Sequence, residues 1–217
     1  MGVIGDKRIR LLLKYILSFR LLKYMAKIMV EYLEEEGWIK SFFLKKPVDK
    51  NGEPIAWVTY SFLHFITPRL NNNLSVFEYG VGNSTLFYAK RVKEVVSVEH
   101  NEGWFKYIRD NLKKENITLF LEADKDSYIQ AIKKVNKKFS IVVDGIYRQE
   151  ALKYCVDFLE DNGVVILDDS QRKEYKEAIE FLLQKGFKKL DFWGLAPLIT
   201  FNRCTSVFYK ESNCLGI

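Results

Sequence analysis

Residues 76–85 read Val76-Phe77-Glu78-Tyr79-Gly80-Val81-Gly82-Asn83-Ser84-Thr85. An apolar run of strand type ends in a carboxylate, passes two glycines, and meets Ser and Thr, which favour the start of a helix. Glycine lets the backbone take positive φ and come close to a ligand, and a helix N-terminus presents unpaired N–H groups. A second run, Val95-Val96-Ser97-Val98-Glu99, ends in another carboxylate 19 residues after Gly80. At that spacing an acidic strand end can accept hydrogen bonds from both hydroxyls of a ribose. A nucleotide-like ligand lying over a glycine loop is the expectation that follows.

Outward from this stretch the chain alternates. Strand-like runs at 75–79, 95–99, 117–121, 140–144 and 164–168 are separated by helical patterns near 84–91, 102–114, 125–137, 148–160 and 172–185. Continuous apolar strands joined through helices predict a parallel sheet covered on both faces. After Gly186 two more runs, 187–192 and 205–210, have no helical pattern between them, so they are expected to be antiparallel. The predicted fold is an α/β, Rossmann-like, seven-stranded mixed sheet: five parallel strands closed by a C-terminal antiparallel hairpin. A helix carrying Trp57, Tyr60, Phe62 and Phe65 is expected over about 55–67, after the turn-rich segment 47–54.

Ahead of this, residues 6–36 lack Pro and internal Gly and are rich in Leu, Lys and Glu, which predicts helix. Lys7, Arg10 and Lys14 share one face, whereas Arg20, Lys23 and Lys27 share another about half a turn away. The phase shift predicts two helices, or a kink near Ser18. Residues 1–53 are therefore read as a helical extension with a turn segment, and 54–217 as the catalytic-type domain. Residues 1–30 hold seven Lys and Arg against Asp6 alone, which accounts for the whole net charge of +6. With the remainder balanced, nucleic acid is not an expected partner. The extension is a candidate contact with a second subunit, as in a homodimer, or with an anionic membrane surface. Its cations exclude a membrane span, and Lys14 breaks any signal-type apolar run. Three cysteines without paired spacing (Cys155, Cys204, Cys214) suit a reducing cytoplasm, at most at the inner membrane surface.

The loop suits two cofactor classes. A dinucleotide fingerprint wants a third small residue where this chain has Thr85, and a pyrophosphate disfavours a carboxylate where Glu78 sits. S-adenosylmethionine carries a sulfonium and an ammonium, so Glu78 favours it electrostatically over NAD(P). The stretch 77–85 resembles motif I of the class I S-adenosylmethionine-dependent methyltransferases, and Glu99 falls at the ribose-binding acid of motif II. The resemblance runs over about 54–210. Segments 47–60, 144–148, 165–170 and 192–197 are similar to small bacterial and archaeal methyltransferase-like proteins of unassigned substrate. It implies that Glu78 and the loop of Tyr79, Gly80, Gly82, Asn83 and Ser84 hold the methionine end. By the same resemblance Glu99, flanked by His100, holds the ribose. Asp124 lies towards the adenine, with a helix N-cap as its equal alternative, and Asp144 and Gly145 contact cofactor.

Asp144, Asp168 and Asp169 end the fourth and fifth parallel strands and so open on one crevice. Converging carboxylates need a proton or a cation between them. Oxygen-rich sites take Mg²⁺, and the arrangement resembles the metal-dependent catechol-type O-methyltransferases, departing from them at Asp169, where that family has Asn. Without a metal, the candidate bases are Asp144, Asp168 and His64. The sequence Asp144-Gly145-Ile146-Tyr147 lacks the Pro-Pro-aromatic motif of enzymes methylating amino groups of bases. The expected chemistry is methyl transfer to an oxygen or nitrogen of a small-molecule acceptor, walled in part by residues 191–197. An NAD(P)-dependent oxidoreductase, a non-catalytic cofactor-binding module and a membrane-surface enzyme acting on lipid or glycan are the rival readings.

Overall fold

The computed structural model describes residue 11 and residues 18–111, 114–143 and 145–217. Five parallel strands, β1 (Ser75–Tyr79), β2 (Glu94–Glu99), β3 (Ile117–Leu121), β4 (Phe139–Val143) and β5 (Leu159–Asp168), alternate with helices. β6 (Lys188–Gly194) and β7 (Arg203–Tyr209) complete a seven-stranded sheet in the order β3-β2-β1-β4-β5-β7-β6. β7 runs antiparallel to both neighbours. This is the predicted Rossmann-like mixed sheet.

Successive strand residues point to opposite faces, so paired rows of side chains build two cores. Phe77, Val142, Val165 and Phe208 form one such row across four strands and pack under Tyr128, Leu152 and Leu182. Val76, Ile141 and Val164 form the next row and pack on the other side under Phe62, Ile66 and Phe87. A one-residue slip would send each row to the wrong face, and every large apolar side chain kept in place contributes about 1.5–3 kcal/mol. Strand order reverses between β1 and β4, and the crevice at their C-terminal ends is where such sheets bind ligands.

Several helices are shorter than the sequence pattern predicts. α1 (Phe19–Ile28) starts on Ser18, whose hydroxyl accepts the Leu21 N–H, and continues as a wider helical turn over Met29–Glu34. The break expected near Ser18 is therefore present as a cap; residues 6–10 and 12–17 of the predicted extension lie outside the described residues. Gly37, at φ 79°, ends this segment, and α2 (Trp38–Leu44) follows. α3 is Tyr60–Ile66, not 55–67. Its start is delayed because side chains elsewhere capture the preceding backbone: Ser84 Oγ takes the Trp57 N–H and Thr205 Oγ1 the Thr59 N–H, both at 3.0 Å.

α4 (Asn83–Ala89) and α5 (Glu102–Asn111) follow β1 and β2. α6 (Lys125–Gln130) tightens into a narrower turn over Ala131–Val135. α7 (Arg148–Cys155) ends early because Leu159 already pairs with Phe139 in the sheet. α8 (Lys176–Gln184) completes the second helical layer. Among the described residues no helix is long and apolar enough to cross a membrane.

Candidate functional site

Gly80 sits at φ 99°, a conformation open to glycine, and a side chain built on Gly80 or Gly82 would meet nothing within 4 Å. The loop thus presents bare backbone to open space. Below it Glu78 is buried, with Oε2 accepting the Thr85 hydroxyl at 2.5 Å and the Ser97 hydroxyl at 3.1 Å. Thr85 Oγ1 in turn accepts the Gly82 N–H at 3.0 Å. The residue that spoils a dinucleotide fingerprint is therefore the strut between the acid and the loop. Gly80 N–H donates to Val98 O at 2.7 Å, and the Trp104 indole donates to Val81 O at 2.7 Å. A loop fixed from both sides is preorganised for its ligand.

Asn83 and Ser84 line the cavity, but their side chains do different work from that implied by the resemblance. Asn83 Nδ2 donates to Pro47 O at 2.5 Å and Ser84 Oγ accepts from Trp57 N. Both hold the strap 45–58 across the loop. Indole N–H groups tie the same region to the β6–β7 connection, Trp57 to Pro197 O at 3.0 Å and Trp38 to Ile199 O at 2.9 Å. Strap, glycine loop and β6–β7 connection enclose a cavity of about 590 Å³, the size of a small-molecule site.

Tyr79 contributes backbone to this cavity, while its buried ring lies in the opposite core with the hydroxyl on Ile129 O. Gly145 answers a close approach: a Cβ there would stand 2.1 Å from Tyr79 O. Glu99 ends β2 one position beyond Val98, the partner of Tyr79. Its Oε1 accepts the N–H groups of His100 and Asn101 at 2.9 and 2.8 Å and pairs with His100 Nδ1 at 2.9 Å. The His100 ring stands edge-on to Tyr128. Glu99 and His100 flank the loop without lining the cavity.

Neither Asp124 nor His64 lines the cavity. Asp124 is the N-cap of α6, its Oδ1 taking the Ser127 N–H at 2.9 Å, and that bond holds its carboxyl below the usual value. His64 is exposed on α3 and pairs with Glu36 at 2.8 Å. Asp144, assigned to base, cofactor and metal roles in the sequence, lies outside the described residues.

At the far end of the cavity Asp168 and Asp169 are buried, and their counter-ions are guanidiniums. Arg203, at the start of β7 and only 6% exposed, donates through Nη2 to Asp168 Oδ2 at 2.5 Å and through Nε to Asp169 Oδ1. Thr205 Oγ1 donates to Asp168 Oδ1 at 2.7 Å, and Arg172 Nη2 meets Asp169 Oδ2 at 2.5 Å. Arg148 approaches Asp169 Oδ2 at 3.6 Å and donates to Asp168 O at 2.7 Å. Burial pushes the Asp168 carboxyl above its ordinary value, with Arg203 opposing the shift.

All four carboxylate oxygens are therefore engaged by protein donors. A hard divalent cation needs several oxygens of its own, so this pair does not fit Mg²⁺. Among the described residues there is no cluster of three metal-ligating side chains. The sequence exposed the need for a cation here but not its nature, because Arg203 meets its partners across 34 and 35 residues.

No family model matches the sequence, and no curated protein matches it. Solved structures do match in shape. A candidate caffeoyl-CoA O-methyltransferase from Staphylococcus aureus aligns over 87% of this chain and 98% of its own, with 16% identity and a TM-score of 0.57. A precorrin-6y C5,15-methyltransferase from Geobacter metallireducens covers 70% and 87%, with 18% identity and a TM-score of 0.55. The fold is that of the class I methyltransferases. A methyltransferase-type protein from Streptococcus mutans, in complex with S-adenosylhomocysteine, matches at 17% identity over 67% of this chain and 93% of its own, TM-score 0.50. Within this fold the glycine loop and Glu78 lie at the switch point between β1 and β4, and Glu99 ends the neighbouring β2.

Proposed function

We propose that the protein is an S-adenosylmethionine-dependent methyltransferase acting on an oxygen or nitrogen of a small-molecule acceptor. The observation that carries this reading is the bare, braced glycine loop over a buried Glu78, opening on a cavity of about 590 Å³. Bound there, the cofactor would supply an electrophilic methyl on a sulfonium. Glu78 places negative charge beneath that cation. Glu99, whose carboxylate is oriented by the His100 and Asn101 N–H groups, would accept the ribose hydroxyls. The strap and the β6–β7 connection exclude water and hold the acceptor, so that transfer relies mainly on positioning.

Calorimetric titration with S-adenosylhomocysteine tests this. Wild type binds, Glu99→Ala binds about 10- to 100-fold more weakly through loss of hydrogen bonds to a charged acceptor, and Mg²⁺ changes neither affinity. Absence of binding to wild type, or binding of a nicotinamide dinucleotide in its place, sinks the methyltransferase reading. Unchanged affinity in Glu99→Ala removes only the ribose assignment.

A further inference from the structure

We propose that the methyl acceptor carries an ionised acidic group, a carboxylate or a phosphate, and that Arg203 is its anchor, with Lys45 and Lys46 drawing it in at the mouth. This deepens the methyltransferase reading and rests on it. Arg203 lines the cavity and is held by two buried aspartates through Nε and Nη2. Its Nη1 makes no hydrogen bond among the described residues, nor is it among their enclosed, unpartnered atoms. The two Nη1 hydrogens are therefore donors open to the cavity, on a guanidinium whose orientation is already fixed. A planar cation clamped in this way is preorganised for an oxyanion.

Lys45 and Lys46 line the same cavity from the strap and make no ion pair among the described residues. Lys45 is held at φ 53°, just beyond the end of α2. Arg172, half-exposed, adds a further cation on the opposite wall. Among the described residues the acids at this end are Asp168 and Asp169, both engaged by protein donors. A neutral or cationic acceptor would leave the charge of Lys45 and Lys46, which have no ion pair among the described residues, without a counter-charge. An anionic acceptor offsets it, and if its ionised oxygen is the nucleophile no proton need be removed. In that case the oxygen forms a bond to the methyl carbon as the carbon–sulfur bond breaks, and the electron pair stays on sulfur.

The methionine carboxylate of the cofactor is the other source of the same chemistry, so the test loads the cofactor site first. Inorganic phosphate is titrated at low ionic strength into protein saturated with S-adenosylhomocysteine, using wild type, Lys45→Gln/Lys46→Gln and Arg203→Lys. Wild type is expected to bind phosphate, and the exposed double variant to bind it about five- to tenfold more weakly. Affinity of the double variant for S-adenosylhomocysteine should stay within about twofold of wild type. Arg203→Lys, checked for folding by circular dichroism, should also lose phosphate affinity because the Nη1 donors are gone.

Cofactor binding without phosphate binding in wild type overturns the anion site and leaves the methyltransferase reading standing. Equal weakening of both ligands by the lysine substitutions overturns it too, assigning those cations to the cofactor. If S-adenosylhomocysteine does not bind at all, the methyltransferase reading falls. Phosphate titrated into the unloaded protein then decides the site alone: lysine-dependent binding supports it, and no binding overturns it.

Discussion

Thr85 carries more of the site than its place in the sequence suggests. Its hydroxyl donates to Glu78 and accepts from Gly82, so a single oxygen couples the buried acid to the loop. Thr85→Val keeps the shape and removes the oxygen. It strands the Gly82 N–H and leaves Glu78 with one donor fewer, a loss of about 1–3 kcal/mol. The melting temperature should fall by roughly 2–10 °C for a chain of this size, and S-adenosylhomocysteine should bind more weakly. A variant with wild-type melting and affinity would show that the loop holds its shape without this strut. At this scale Glu78, Gly80 and Gly82 are legible in the sequence because loop chemistry is local. The roles of Asn83 and Ser84 are not, since their partners, Pro47 and Trp57, stand 36 and 27 residues away. The same holds for the Trp104 indole on Val81 O.

Among the elements, β1 to β4 are read to within one residue at each end. β1 and β4 are buried along their whole length and leave an uninterrupted apolar signature. β5, by contrast, begins at Leu159, five residues earlier than read, through the polar stretch Glu160-Asp161-Asn162. Helix ends are read less well, since tertiary contacts set them: side-chain capture of Trp57 and Thr59 N–H shortens α3, and sheet pairing at Leu159 cuts α7. The closing hairpin shows how an element and a site depend on each other. β7 joins β5 through Thr205 opposite Asp168. Thr205 also receives the Thr59 N–H, and Arg203 clasps both aspartates two residues earlier. Arg203→Met would leave two buried carboxylates without this partner, although Arg172 and Thr205 remain. Removing one member of a buried ion pair costs about 3–5 kcal/mol. Urea denaturation should therefore show a midpoint shifted well down with an unchanged slope. A midpoint equal to wild type would mean that the carboxylates bind protons or solvent in place of the guanidinium.

Across the molecule, order is concentrated in the sheet and its two helical layers. No residue of α1 or of the turn over Met29–Glu34 is buried, whereas the three thiols belong to the packed part. Cys155 is fully enclosed, and burial pushes its thiol from an ordinary value near 9.0 up to about 12. Burial does the same to Cys214, whose thiol faces Ser140 O. Both groups stay protonated in the native state at neutral pH and ionise only when the chain opens. A thiol whose native value is raised keeps its stabilising effect below the unfolded value and loses it as pH climbs towards the native one. Stability should accordingly hold up to about pH 9 and decline between about 9 and 12. Because the thiolate is the nucleophile, iodoacetamide at pH 8 should leave Cys155 unlabelled in buffer and label it fully in denaturant, as read by mass spectrometry. At intermediate denaturant the labelling rate should follow the population of the unfolded state. Rapid labelling of Cys155 in native buffer would show instead that α7 opens on its own, separately from the sheet it covers.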